Sequence, residues 1–326
     1  MKMTGQKILK WLNAILPAIL LAGGLAGISG FAAAPAQAAG PGPEVCKNCH
    51  EAQVASYLAT KHSTKTDPRT PANAGACSTC HGDATEHVKA GGGKGVGGII
   101  NPGSKSLAPE DKNKICLACH RKDANRSHWE GSVHDTRGTA CTSCHTLHSP
   151  DKVRNKLTQP EVCFTCHKQQ RTEINRPSRH PILEGKVSCS DCHNPHGSAG
   201  PKLMKRDSVV DTCYQCHAEK RGPFVHQHEP VMEDCSNCHN PHGTVAESML
   251  KARPPFLCHE CHTPHGPFPA QLAGRSQAIT ATTGGKSAIQ FTQGRGCLNC
   301  HTQVHGSNNP ASGVPLGNPT PQFMLR

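Results

Sequence analysis

Apolar residues fall into two regimes along this chain. Residues 11–31 form an almost unbroken apolar run, preceded by Lys2, Lys7 and Lys10 and followed by Ala36-Gln37-Ala38. A charged start, an apolar middle and a small-residue end are the layout of a secretory signal peptide, so residues 1–38 are expected to be removed. The run approaches the length of a spanning helix, but Pro17 and the Gly and Ser positions inside it argue against a retained anchor. Beyond residue 38 neither a period of two nor one of 3.6 persists, because Pro, Gly and charged residues interrupt every stretch. This pattern predicts short helical turns joined by loops, with almost no strand. Segments 89–112 and 271–296 read as longer surface loops.

Composition sharpens the picture. Hydrophobic residues make up 35% of the 326-residue chain and aromatics only 3%, too little for an ordinary side-chain core of this size. Something other than side chains must fill the interior. A secreted chain folds where thiols are oxidised unless other chemistry consumes them.

All 20 cysteines lie in Cys-x-x-Cys pairs, and a histidine follows each pair at once. The pairs are Cys46 and Cys49, Cys77 and Cys80, Cys116 and Cys119, Cys141 and Cys144, Cys163 and Cys166, Cys189 and Cys192, Cys213 and Cys216, Cys235 and Cys238, Cys258 and Cys261, and Cys297 and Cys300. Two thiols add across the vinyl groups of one porphyrin, and the next residue carries an imidazole to its iron, so this pentapeptide is a c-type haem attachment site. One copy is weak, since zinc sites and redox dithiols also use Cys-x-x-Cys. Disulfide frameworks and zinc ribbons do not require the histidine, and here it follows every pair. The proximal ligands expected are His50, His81, His120, His145, His167, His193, His217, His239, His262 and His301.

Thirteen histidines remain for the opposite faces of ten irons. His148, His196, His242 and His265 sit three residues after a proximal histidine, and His305 sits four after His301. Three extended residues span at most about 11 Å. Two imidazoles trans across one iron hold their Cα atoms roughly 13 Å apart, at about 2 Å per nitrogen–metal bond. A plus-three histidine must therefore ligate another motif's iron. His62, His134, His180 and His228 follow their preceding proximal histidines by 12, 14, 13 and 11 residues, and His87 follows His81 by six, the least regular spacing. His128 and His226 break the spacing and His259 is pinned inside the CHECH loop, so these three are expected to be spare. Met204, Met232, Met249 and Met324 are expected to pack rather than ligate.

The motifs beginning at residues 116, 163, 213 and 258 recur at intervals of 47, 50 and 45 residues, each interval enclosing a second motif. Such a repeat of two haems per unit indicates an array extended along one axis. Loss of Lys2, Lys7 and Lys10 lowers the net charge from +12 to +9. Twenty ionised propionates then bring the holoprotein to about −1 when ferric and about −11 when ferrous. The basic sequence is thus internal compensation and gives no reason to expect nucleic acid as a partner.

CSDCHNPHGS at 189–198, DTCYQCHAEKRGP at 211–223, CSNCHNPHG at 235–243 and CLNCHTQVHGSN at 297–308 carry a resemblance to the periplasmic decahaem cytochromes of the MtrA/DmsE family. The resemblance covers essentially the mature chain, departing mainly in the Pro-rich tail after Gly306 and in His259. It implies a multihaem cytochrome with little regular secondary structure, its short helices and loops wrapped around a linear haem array. It further implies two pentahaem-like halves, residues 39–186 and 187–326. Ten covalent haem c groups, all bis-histidine, would take distal ligands from His62, His87, His134, His148, His180, His196, His228, His242, His265 and His305. It also implies electron transfer in the periplasm. Electrons would come from a periplasmic or inner-membrane cytochrome donor and pass through an outer-membrane β-barrel partner to an extracellular multihaem cytochrome, terminal reductase or mineral, or run in reverse for iron oxidation. The competing reading is a multihaem reductase of a small oxidant such as nitrite or hydroxylamine, which needs an open axial position. Histidines exceed that need here, which argues against it and against a gas sensor.

Overall fold

Residues 40–148, 150–262, 297–299 and 301–308 are described by a computed structural model. The expected signal peptide at 1–38 and the loop at 271–296 lie outside them. The longest element is the helix Pro43–Leu58, 16 residues, which opens with proline in its first turn and Glu44 beside it, both favoured where helix N–H groups are unpartnered. It kinks at His50 (φ −122°, ψ 46°). The helix Pro109–His120 starts the same way, with Glu110 and Asp111 in its first turn, and ends on His120. The segment 89–112, expected as loop, contains a short helical turn at Val96–Gly98 and the start of this helix; Pro109 and the acidic pair supply the start signal.

Elsewhere the helices are of one turn or little more, and the motifs explain many of them. In eight motifs the histidine N–H donates to the carbonyl of the first cysteine, at 2.8–3.0 Å. That i→i+4 bond closes one α-turn and sets the first cysteine, the second at i+3 and the histidine at i+4 along one face. The remaining two motifs lie within the helices ending at Leu58 and His120. The strands described are His226–Gln227 and Gly306–Ser307, paired antiparallel with His226 opposite Ser307.

Side chains contribute little interior. One apolar cluster joins Phe164, Ile174 and Ile182 with Val187, and several other buried apolar residues, Ala76, Ala84, Ala140 and Ala246, are alanines. Polar side chains instead lock neighbouring motifs together. Asn113 accepts from Cys141 N–H at 2.7 Å and donates to Thr139 O at 3.1 Å. Gln159 accepts from Ser190 N–H at 3.0 Å and donates to Ser190 Oγ at 2.9 Å, a bond that crosses residue 186.

A hairpin recurs after the sixth and eighth motifs. Asn194 N–H donates to Leu203 O (2.7 Å) and Asn240 N–H to Met249 O (2.9 Å), while Lys205 and Lys251 N–H return to Cys192 O and Cys238 O, both at 2.9 Å. Each tip carries two consecutive left-handed residues, Lys202-Leu203 and Ser248-Met249, with φ between 53° and 59°.

Candidate haem-binding sites

Each single-turn motif holds its imidazole at a fixed height above the turn, so the test of the sequence reading is what faces it. Nine second imidazoles do, at centroid separations of 6.0–6.3 Å: His50 faces His87, His81 faces His148, His120 faces His62, His145 faces His196, His167 faces His134, His193 faces His242, His217 faces His180, His239 faces His305 and His262 faces His228. Two nitrogen–metal bonds of about 2 Å plus roughly 1 Å from each ring nitrogen to its centroid give about 6 Å. The separation therefore fits two trans imidazoles with one iron between them.

Eight of the nine partners follow a rule of two; the exception is motif one, whose His50 meets His87, one motif downstream. Motifs two, four, six and eight meet a histidine that follows the motif two places downstream, whereas motifs three, five, seven and nine meet one that follows the motif two places upstream. His265 and Cys300 lie outside the described residues. His128 stands in none of the nine pairs; it lines a cavity of about 430 Å3 with Ser132, Ser198 and Lys202. His226 lies in the first strand and His259 in the turn Phe256–His259. Met204 is buried and bridges His193 through its backbone, a packing position, as expected.

Second partners fix the tautomers. Nδ1 of His81, His87, His134, His148, His180, His193, His228 and His239 lies 2.7–3.1 Å from a backbone carbonyl, belonging respectively to Ile100, Val96, Pro195, Gln53, Pro241, Lys202, Val304 and Ser248. A carbonyl only accepts, so Nδ1 carries the proton and Nε2 keeps its lone pair for a metal. Three of these carbonyls belong to the residue just before another paired histidine: Pro195 before His196, Pro241 before His242, and Val304 before His305. Each such bond ties two neighbouring sites. Burial first, with Arg126 and the neighbouring imidazoles adding to it, lowers the His196 pKa to about 4. Burial likewise lowers those of His62, His193, His242 and His305, which leaves them neutral and ready to ligate at pH 7.

The thiols set the order of the sites. Cys46 lies beside Cys77, Cys116 beside Cys141, Cys163 beside Cys189, Cys213 beside Cys235 and Cys258 beside Cys297, in each case first cysteine next to first cysteine. None of the described cysteines forms a disulfide. Among the described residues no three His, Cys, Asp or Glu side chains form a metal cage of the zinc type. Thiol pairs on single turns, with facing neutral imidazoles, fit covalent haem.

Sequence reasoning missed the groups behind the ligands: the carbonyl acceptors, Asn113, Gln159, and the carboxylates Asp123, Asp151 and Glu173. A backbone carbonyl has no residue signature. Asp123 and Asp151 carried only a weak one, their nearness in sequence to His120 and His145; Glu173, whose partner is the distant His242, carried none.

Comparison with known proteins agrees with this chemistry. A family described as a doubled CXXCH motif matches residues 180–222 and 228–267, and one described as cytochrome c-type protein NrfB-like matches residues 77–157. The multihaem cytochrome MtrA of Shewanella baltica is 42% identical over 277 residues, covering 83% of this chain and 80% of that protein. The cytochrome c-type protein NrfB of Escherichia coli is 28% identical over 189 residues, covering 53% of this chain and 97% of that protein. NrfB of Haemophilus influenzae is 33% identical over 121 residues, covering 34% and 52%. Fold and site together define a multihaem c-type cytochrome, an electron-transfer protein with covalently attached haem. Within that class, the chain belongs to the family of the multihaem cytochrome MtrA.

Proposed function

We propose that the chain is a conduit carrying electrons along ten bis-histidine haems, through an outer-membrane β-barrel partner, between the periplasm and the exterior. The observation that carries the reading is the set of nine facing imidazole pairs. Bound at each motif, haem supplies a one-electron ferric/ferrous couple; the protein's part is to hold, space and close these groups. Cys-x-x-Cys turns anchor them, and the paired imidazoles close both axial positions. His265, His301 and Cys300 complete the tenth site, and the halves 39–186 and 187–326 hold five each.

Closure at both faces favours a carrier over a reductase, which must offer substrate an open coordination position. The first-cysteine contacts and the shared carbonyls alternate from the third motif onward, and Cys80 of the second motif stands near Cys116 and Cys119 of the third, which supports haems running in sequence order.

Among the described residues no helix is long and apolar enough to cross a membrane. Loop backbone at membrane depth is tolerated only inside protein, so a large barrel is the sheath that lets the array cross roughly 30 Å of hydrocarbon. A periplasmic or inner-membrane cytochrome would meet one end, and an extracellular multihaem cytochrome or terminal reductase the other. The test uses liposomes holding a trapped redox dye, made with the cytochrome alone, with the barrel alone, and with both. On adding a reductant that cannot cross lipid, dye reduction is expected only with both. Equal rates with and without the barrel, or no reduction in any preparation, overturn the sheathed conduit.

A further inference from the structure

The axial histidines divide by what their Nδ1 atoms meet. Eight meet backbone carbonyls, but three meet carboxylates at hydrogen-bond distance: His145 Nδ1 lies 2.8 Å from Asp151 Oδ2, His120 Nδ1 2.9 Å from Asp123 Oδ2, and His242 Nδ1 3.3 Å from Glu173 Oε2. A fourth carboxylate, Glu219, stands farther off, 3.7 Å from His217 Nδ1, and is 60% exposed, so distance and solvent both weaken it. An imidazole donating to an anion takes on imidazolate character and becomes a stronger donor to its metal. A fixed negative charge one ring away also favours the cationic ferric state over the neutral ferrous one. Second-shell hydrogen bonding is one of the levers by which a protein sets a haem potential.

The surroundings rank the three. Asp123 shares its Oδ2 with the Arg126 guanidinium and its side chain is 46% exposed, so its charge is offset twice, by a cation and by solvent. Glu173 is only 8% exposed, but its bond is long and its other oxygen accepts from Gln169 Nε2 at 3.0 Å. Asp151 is 18% exposed, makes the shortest of the three bonds, and its Oδ1 is buried without a donor in reach. Its charge is directed at His145 alone.

We infer that Asp151 is a positioning residue that makes the His145/His196 site the lowest in potential of its stretch, with Glu173 acting more weakly in the same direction on the His193/His242 site. The inference rests on the bis-histidine sites proposed above. It gives the array an uneven profile: sites four and six fill last on reduction, and electrons dwell in the flanking sites.

Spectropotentiometric titration of the full haem-loaded chain compares wild type with Asp151→Asn, Asp151→Glu and Glu173→Gln. In Asp151→Asn the reduction equilibrium constant of one site is expected to rise at least tenfold, about 59 mV for one electron, at unchanged haem content and with an all-low-spin spectrum. Asp151→Glu, which keeps the carboxylate, retains the wild-type curve. Glu173→Gln moves one other site upward by less. An Asp151→Asn curve that overlays the wild type with its spectrum intact overturns the inference. If Asp151→Asn does not fold, Glu173→Gln decides on the same criterion. High-spin haem in the wild type would instead defeat the bis-histidine reading, and the spectrum reveals that before any titration begins.

Discussion

At the scale of the residue, a histidine's role is set by what stands across from it. His134 is 6.2 Å from His167 and its Nδ1 is held by Pro195 O at 2.7 Å, whereas His128 lies in no such pair and borders a cavity. His134→Ala is therefore expected to convert one low-spin haem to high-spin, and His128→Ala to leave the visible spectrum unchanged; room-temperature absorption of the two purified variants checks both. The attachment residues were legible in the sequence because a covalent motif is local. Pairing was not: His134 faces His167, the proximal histidine of another motif, and its Nδ1 meets a carbonyl 61 positions away, contacts that no spacing rule specifies. The distance argument excluded a plus-three histidine from its own iron, but it could not say that the target lies two motifs back. His87, with the least regular spacing, stands 6.3 Å from His50.

At the scale of the element, the repeated CHNPHG stretch turns sequence periodicity into geometry. Gly243 has φ +141°, and a Cβ there would run into the Glu173 carbonyl; Gly197 has φ +105°, and a Cβ would meet the His128 carbonyl. Both glycines directly follow a paired histidine, so backbone that must retreat carries the ligand with it. Gly243→Ala is expected to cost on the order of 1–3 kcal/mol and to introduce a high-spin fraction at one site, read by thermal melting and absorption on the same sample. The single-turn helices were foreseeable from the interrupted apolar pattern, as was the near-absence of strand. The start of the helix Pro109–His120 was hidden because the segment before it reads as loop until Pro109, and the left-handed pairs Lys202-Leu203 and Ser248-Met249 carry no glycine to announce them.

At the scale of the whole molecule, reduction is an electrostatic event. The chain beyond residue 38 carries a formal +9, and the ten haems proposed, with their propionates, would take the total from about −1 oxidised to about −11 reduced. Native electrophoresis or isoelectric focusing of the two forms is expected to show the reduced protein moving much farther toward the anode. A shift much smaller than ten charges would mean fewer haems or propionates held un-ionised. The rule of two has a consequence in time as well as in space. A chain that emerges N-terminus first already contains His62, His134, His180 and His228 when motifs three, five, seven and nine appear, so those irons can be capped as soon as they are attached. In the proposed bis-histidine array, motifs two, four, six and eight would have to wait for His148, His196, His242 and His305, and in that interval each iron would be open to any small ligand nearby. Severing the chain after residue 262 would therefore leave the ninth site whole and uncover the eighth, a lesion displaced inward from the cut.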